Sequence, residues 1–596
     1  MKFKHYWREL QRRHVVKAGL AYLVVAWLVL QVLDLLLDAF ELGSGWMQTA
    51  IITLSVGFPI WLILAWVYDF SWGSIQKTED VPFDAEVSRK KNVGLNRVII
   101  GGLSIAVILL VVNTLRLSNK VDDIEGQFLA MNFTNSLAIL PFEDLSPKQD
   151  QRYFSDGLAR SIYERLAQSK DLKLISPTSS FLYRDKDVSI EVIAEELGVR
   201  YILEGSVQLF DDRFRASINL VDSQDGSTIW SKTFDDTLDN VLSTYDEVSK
   251  NVEGYLNITL ISKDVQLRKV DPEAYLLYLR ANDTIRSEGY NKAGALNADS
   301  LIRESIRIDP TYSLSHTTLS MTTLHKGLYY LEYEFDEAVN IGLRAARKAV
   351  ELDPENYYGY NWVSNWQWHA KDVKGSTEAL KKALELSPHN ADVHYYAAHN
   401  AARQNRMQDC LEYSERSVSL DPKNNEPYQW ILFSNFILGD LDRAEWAFNK
   451  AYETDDVYFL GDAGYLYYLR GEFTKALEYS AKTPIDHSRL LNQTLIYNSL
   501  GDFVKSDSTL GLLKALPDNE SLNLNTAFYL AVVHAQRREN NLAFEYLKPA
   551  EDYVKISLEY FFTFPEFKNL YDDPRWDAYI DRLSEEFNYE FPHRPE

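Results

Sequence analysis

A chain of 596 residues is too long for one hydrophobic core, so several domains are expected. Its formal charge of −24 is unevenly placed: residues 1–120 carry 13 Lys/Arg against 9 Asp/Glu, so the acidic excess falls on the remainder. A large acidic surface repels phosphate backbones and argues against nucleic acid as a partner, and the single cysteine, Cys410, excludes a disulfide framework or a cysteine-based metal site.

The chain opens on a basic segment, residues 1–17, containing Lys2, Lys4, Arg8, Arg12, Arg13 and Lys17. A region over 18–118 follows, with three apolar stretches at about 19–37, 50–68 and 98–115. Each is long enough to cross about 30 Å of hydrocarbon as a helix. The first is too long for a signal-peptide core and lacks a small-residue cleavage site. Lys77, Arg89, Lys90, Lys91 and Arg97 lie between the second and third stretches, whereas 38–49 holds no Lys or Arg. The positive-inside pattern thus predicts a multi-pass inner-membrane protein with a cytoplasmic N-terminus and residues 121–596 in the periplasm. Gln31 and Asp34 fall within the first stretch, where polar groups are costly and often functional. The alternative is that Asp34 reaches the outer interface.

After a polar tether, residues 134–258 alternate between strand and helix patterns. NSLAILPFEDLS (135–146) reads as a strand with a proline turn. DQRYFSDGLARSIYERLAQS (150–169) reads as a helix, with Ser155 or Asp156 placed to cap it. A strand at 172–176, a helix at 189–198 closed by Gly198, and alternating strands over 201–234 complete a compact α+β domain. Glu204-Gly205-Ser206 predicts a close backbone approach inside a strand. Glu143 and Asp144 could bind a cation together, but a carboxylate-rich turn is usually solvated.

The phrases AILPFEDLS, YFSDGLARSI, LKLISPTSS, IAEELGVRYILEGSV and DSQDGSTIWSKTFD resemble the TolB amino-terminal-like or FlgO-like domain of bacterial envelope proteins, which is related to the CsgG fold. ELQRRHVVKAGLAYLVVAWLVLQV is similar to a membrane module found ahead of such domains. The resemblance implies a helical repeat array behind the α+β domain. It does not carry over the cyclase or DNA-binding domains that some relatives place at the N-terminus.

From Asp271 the pattern becomes helical and periodic. AVELDPEN, ALELSPHN and SVSLDPKN each contain a proline, at Pro354, Pro388 and Pro422, 34 residues apart. That is the period of the tetratricopeptide repeat, a helix pair that buries its apolar face only against copies of itself. Small residues recur in register at Ala298, Gly342, Ser376, Cys410 and Ala444, so packing accounts for the cysteine. The longer step from Pro310 to Pro354 places surplus residues near 327–336. An all-α superhelix with a terminal cap is predicted over 271–590.

No phosphate loop, dinucleotide fingerprint, zinc-helix motif or nucleophile elbow is present. Ser155 and Asp156 adjoin in sequence and cannot serve each other as nucleophile and base. His394 and His399 have the wrong spacing for one ligand face. The densest aromatic run is Tyr357, Tyr358, Tyr360, Trp362, Trp366 and Trp368. Part of it must pack between helices, and members out of phase with the core are candidates for partner binding.

The expected architecture is therefore multidomain: three transmembrane helices, a small TolB/FlgO-like α+β domain, and a tetratricopeptide solenoid. The expected function is a non-catalytic, membrane-anchored periplasmic scaffold or adaptor binding a protein or peptide, for which a basic segment is a fitting counterpart. The lipid bilayer is the second partner, and no cofactor or metal is expected. A sensory protein relaying a signal through Gln31 and Asp34 is the alternative. A carbohydrate-active enzyme, with carboxylates beside the tryptophans, is the third reading.

Overall fold

The computed structural model describes residues 135–594 except 211, 261–269, 289–290, 330–331, 453–459 and 518–524, with a few short stretches before residue 78. The chain divides into two compact units, Met1–Gln127 and Phe128–Glu596.

In the first unit Tyr22, Ala26, Thr53, Leu54, Gly57, Phe58 and Pro59 are helical, and two short strands pair antiparallel. Strand β1 (Tyr68–Ser71) pairs with β2 (Ser74–Lys77), Tyr68 lying opposite Lys77. The Tyr22 hydroxyl donates to the Leu54 carbonyl at 2.9 Å. Among the described residues no helix is long and apolar enough to cross a membrane. This corrects the expectation of three transmembrane helices and, with it, that of a multi-pass inner-membrane protein. Hydropathy suggested the spans, and it does not by itself fix a continuous helix: the second stretch, helical at Thr53, Leu54, Gly57, Phe58 and Pro59, ends at Tyr68, where β1 begins. Most of 19–37 and 50–68, and all of 98–115, lie outside the described residues, as do residues 1–17, Gln31 and Asp34.

The second unit begins with a six-stranded sheet. Strand β3 (Ser136–Ile139) lies parallel to β5 (Lys173–Ile175) on one side and to β6 (Tyr201–Phe210) on the other. The short β4 (Glu143–Asp144) also pairs with β6. Strands β7 (Arg213–Asp222) and β8 (Ser227–Thr237) extend β6 as an antiparallel meander. Alternation of side chains divides the sheet into two apolar faces. Leu137, Ile139, Leu203, Phe214 and Ile218 pack under α1 (Arg152–Leu166) and α3 (Val241–Leu256). Ala138, Ile175 and Ile202 pack with Ile193 and Leu197 of α2 (Ile190–Leu197). Gly205 is required where β6 meets β7, since a Cβ there would stand 2.7 Å from the Ser217 carbonyl oxygen.

Helix pairs follow. After α4 (Pro272–Ser287) with α5 (Lys292–Ile308), and α6 (Ser313–Leu324) with α7 (Phe335–Leu352), come α8 (Tyr357–His369) and α9 (Val373–Leu386). Next are α10 (Ala391–Arg403) with α11 (Met407–Leu420), α12 (Glu426–Leu438) with α13 (Leu441–Tyr452), and α14 (Leu460–Leu469) with α15 (Phe473–Lys482). The last pairs are α16 (Asp486–Ser499) with α17 (Phe503–Lys514) and α18 (Thr526–Gln536) with α19 (Asn540–Leu547). The surplus after α6 includes a π-turn over His325–Tyr329, and α7 begins at Phe335. From α8 onward a left-handed residue turns each pair: Lys371, Asn405, Gly439, Gly471, Gly501 and Arg538. Glycine at three of these six avoids the steric cost of that conformation. The arrangement is that of a tetratricopeptide-like solenoid, so the C-terminal repeat region read from the prolines is present.

The sheet domain and the array share one core. Phe154, Leu158 and Ile162 of α1 belong to the same buried cluster as Tyr275 and Tyr278 of α4, Tyr357 of α8 and Val393 of α10. Polar contacts fix the register of this docking. Ser387 Oγ donates to the Ala167 carbonyl at 2.5 Å, and Asn390 Nδ2 to the Tyr163 hydroxyl at 3.0 Å.

Candidate functional site: the inner face of the array

From α8 onward the first helices of successive pairs are neighbours, α12 and α14 meeting through the Phe436 and Tyr465 rings at 5.3 Å, so α8, α10, α12, α14, α16 and α18 together build one inner face. Helical periodicity puts residues i, i+3 or i+4, and i+7 of each on that face.

Much of the face already has an occupant, the chain's own C-terminal segment. Glu559 is 5 % exposed and accepts from His399 Nε2 of α10 at 3.1 Å, with Arg403 Nε 3.4 Å away. Burial alone would raise its carboxyl, but the Arg403 charge and the His399 hydrogen bond hold it at about 2. Next along, the Tyr560 ring lies 5.9 Å from Trp430 and 6.0 Å from Phe433 of α12. Phe564 reaches Tyr465 of α14 and Phe528 of α18 at 5.4 and 5.5 Å. The Tyr465 hydroxyl donates to Glu566, and Lys568 Nζ to the Ile437 carbonyl. The terminal helix α20 (Pro574–Phe587) returns to Trp368 of α8 through Phe587, at 5.3 Å. Leu558, Phe561 and Phe567 are buried, so this segment is core and not a loosely held strap.

What stays accessible is a row near the starts of the inner helices. Tyr358, Asp392 and Tyr396 are half-buried and Glu426 is exposed, with Asp462 half-buried at the far end. Tyr358, Asp392 and Glu426 follow one another at 34-residue steps. Neither Asp392 nor Glu426 has an ion-pair partner among the described residues. Burial raises the Asp392 carboxyl to about 6, and burial followed by the Asp392 charge raises Glu426 to about 7. Asp462 accepts from Gln429 Nε2 at 3.3 Å, and burial raises it to about 7. From the sheet domain, α1 contributes Glu164, raised to about 7 by burial, and Arg160, whose guanidinium sits 4.8 Å from the Phe181 ring centre. The row is acidic apart from Arg160, whose charge acts on Asp392 and offsets part of the burial, with tyrosine between its charges.

The aromatic run divides accordingly. Tyr357, Trp362, Trp366 and Trp368 are buried; Tyr358 and Tyr360 are half-buried. Trp366 donates from Nε1 to Ser320 Oγ at 2.8 Å and fills a notch that exists because residue 342 is glycine. A Cβ on Gly342 would stand 2.0 Å from the indole. Gly342→Ala is expected to cost about 1–3 kcal/mol by overpacking, read as a lower denaturant midpoint with unchanged slope. Trp368 lies under Arg403, 5.4 Å from ring to guanidinium. Of the six candidates, Tyr358 stands at the 34-residue step that leads to Asp392 and Glu426; Tyr358 and Tyr360 both also pack against the buried cluster around Trp362 and Trp366.

Other sequence candidates resolve as structural groups. Ser155 and Asp156 do not cap α1, which starts earlier with Gln151 as its N-cap. Ser155 donates to the Arg152 carbonyl, and Asp156 pairs with Arg184. Asp144 accepts from the Ser146 and Gln151 amides, at 2.9 and 2.8 Å, and so holds its turn. His394 bonds the Pro388 carbonyl, whereas His399 serves Glu559. Cys410 is buried, and burial pushes its thiol up to about 12. Among the described residues no cluster of three or more His, Cys, Asp or Glu could hold a metal ion. Sequence reasoning missed Asp392, Glu426, Asp462, Arg160 and Glu164. The 34-residue step from Tyr358 could have found the first two.

Comparison with known proteins adds three kinds of likeness. Residues 133–251 match the family model described as the HilA/YgeH-like transcriptional regulator, second domain, where the sequence resemblance pointed to TolB/FlgO. A protein of Rhizobium meliloti (strain 1021) described as putative adenylate cyclase 3 is 30 % identical over 238 residues, which are 39 % of this chain and 40 % of that protein. A CTR9 homolog of Arabidopsis thaliana is 25 % identical over 175 residues, 28 % of this chain and 16 % of the relative. The chain thus spans 40 % of the length of the first relative and 16 % of the second. A solved tetratricopeptide repeat protein from Parabacteroides merdae aligns over 46 % of this chain and 100 % of its own, at 11 % identity and a TM-score of 0.32.

Proposed function

We propose that this protein is a non-catalytic scaffold or adaptor that binds a protein partner through the inner face of its helical array, and that the contact is made by an extended, cationic segment. The observation carrying this reading is the row Tyr358, Asp392, Glu426 and Asp462, which stays accessible where the C-terminal segment leaves the inner face uncovered. A Lys or Arg side chain placed there exchanges the desolvation cost of these carboxylates for ion pairs, and the tyrosines give its aliphatic stem a surface. Glu164 extends the negative wall on the sheet-domain side. Trp362, Trp366 and Trp368 are buried and leave no stacking platform for a sugar ring at those positions, which weighs against a carbohydrate-active enzyme.

Fluorescence anisotropy with a labelled 12-residue Lys/Arg-rich peptide tests the reading, with a Glu-rich peptide of equal length as comparison. The basic peptide should bind in a salt-sensitive manner. Asp392→Asn combined with Glu426→Gln should weaken it by about 10-fold or more, the equivalent of two partly buried charge contacts. Equal binding of both peptides, or no loss in the double variant, would overturn the proposal.

A further inference from the structure

The outer surface of the array carries an apolar face that the binding row does not use. On α17, Phe503 is 63 % exposed, Val504 84 % and Leu512 57 %, with Leu500 at 51 % in the turn before it. Large apolar side chains this accessible and this close together mark interaction sites more often than bare surface. Ser506, Thr509, Leu510 and Leu513 point inward and hold α17 on the array, so the exposed face is a separate stripe. Its midline runs through Val504, Ser508 and Gly511, at i, i+4 and i+7. Ser508 and Gly511 are exposed, and a Cβ on Gly511 would meet nothing within 4 Å. Small residues in the centre let another helix approach closely, with Phe503 on one flank and Leu512 on the other.

We infer that α17 is a self-association surface, in which two copies of this chain pair their α17 helices antiparallel about a two-fold axis. Charge placement selects a second copy over other occupants. In an antiparallel two-fold pair each flank meets the same flank of its partner in reverse order. One flank of α17 reads Phe503, Asp507, Lys514. Reversal sets the basic end of one copy beside the acidic centre and aromatic start of the other, so Lys514 can pair with Asp507 and lie on Phe503 across the axis. Asp507 keeps a side chain 66 % exposed even while it pairs with Arg537 at 2.9 Å. The opposite flank brings Leu512 against the aliphatic stem of Lys505, which is held by Asp502 at 3.0 Å. A helix of 12 residues is about 18 Å long and buries less than the roughly 800 Å² per partner of a standard interface. The dimer is accordingly weak and concentration-dependent.

Sedimentation equilibrium of the purified full chain tests this. The mass should move from one chain toward two between about 1 and 100 µM, the range of an interface of this size. Val504→Asp should hold the protein at the mass of one chain, with circular dichroism and melting unchanged because the side chain is exposed. Lys514→Glu should weaken association about 10-fold, and adding Asp507→Lys should restore it, since the swap rebuilds the pair across the axis. A mass of one chain at every concentration would overturn the inference. So would a dimer indifferent to Val504→Asp, or one that the charge swap fails to restore.

Discussion

Glu559→Gln is expected to destabilise the folded protein by about 3–5 kcal/mol, the cost of stranding a buried charge. Glu559 and Arg403 are each 7 % exposed at the side chain, and the guanidinium lies over Trp368, also buried. Glutamine preserves the shape and the His399 contact but leaves Arg403 without its counter-charge. The sign of the pH dependence follows from a folded carboxyl at about 2 against an unfolded one near 4.5. A group depressed on folding gives stability that is full above the unfolded value and is lost as pH falls through the folded one. The parent should therefore lose about 3 kcal/mol between pH 5 and pH 2 that the variant does not lose. Replacing both partners with apolar residues, Arg403→Met with Glu559→Leu, should recover most of the stability at neutral pH. A glutamine variant within about 1 kcal/mol of the parent would show that the C-terminal segment does not depend on this pair. Because the segment spans contacts from α8 to α18, its loosening should also expose residues near 560 to proteolysis.

The repeat was legible because each unit announces itself locally. Asp-Pro or Ser-Pro ends one helix pair, an Asn caps the next helix, and a small residue marks the crossing. Asn356 and Asn390 cap α8 and α10 by accepting from Gly359 and Val393 amides, 34 residues apart in each case. The strands of the α+β domain were legible for the same reason, as period-two alternation with a glycine where β6 needs one. The inner face was not. Which residues remain accessible depends on Glu559, Tyr560 and Phe564 folding back onto His399, Trp430 and Phe528, the first of them 160 residues away, and no local pattern encodes that return. The aromatic run illustrates the limit. Composition marks Trp366 and Tyr358 alike, but only the notch at Gly342, provided by another helix pair, makes Trp366 a core residue. The three apolar stretches were read by hydropathy, which measures transfer to an apolar phase and does not itself specify a helix.

Asp421→Asn is expected to make the protein more stable, and to do so increasingly as pH rises. Asp421 follows α11 where the array meets the sheet domain, and it is 0 % exposed. Burial raises the carboxyl to about 7; the Ser179 hydroxyl pulls it down in part, the Asp392 charge pushes it up, and the Lys423 amide and the Lys173 charge offset the burial no further than that. An acid raised on folding binds its proton more tightly in the folded state, so the parent loses stability as pH climbs from the unfolded value near 3.8 to about 7. Asparagine carries no charge to desolvate. Its advantage over the parent should grow by about 2–3 kcal/mol between pH 5 and pH 8, read from paired denaturant titrations. Parallel pH profiles for the two proteins would mean that Asp421 is solvated or paired in solution, and the packing of α11 against β5 would then need revision. The growing gap would instead mark the junction as a place where burial of a carboxylate holds stability below what the apolar contacts alone would give. Ionisation of Asp421 would then favour separation of the sheet domain from α11, and its charge also acts on Tyr163 of α1, which holds Asn390 at the start of α10.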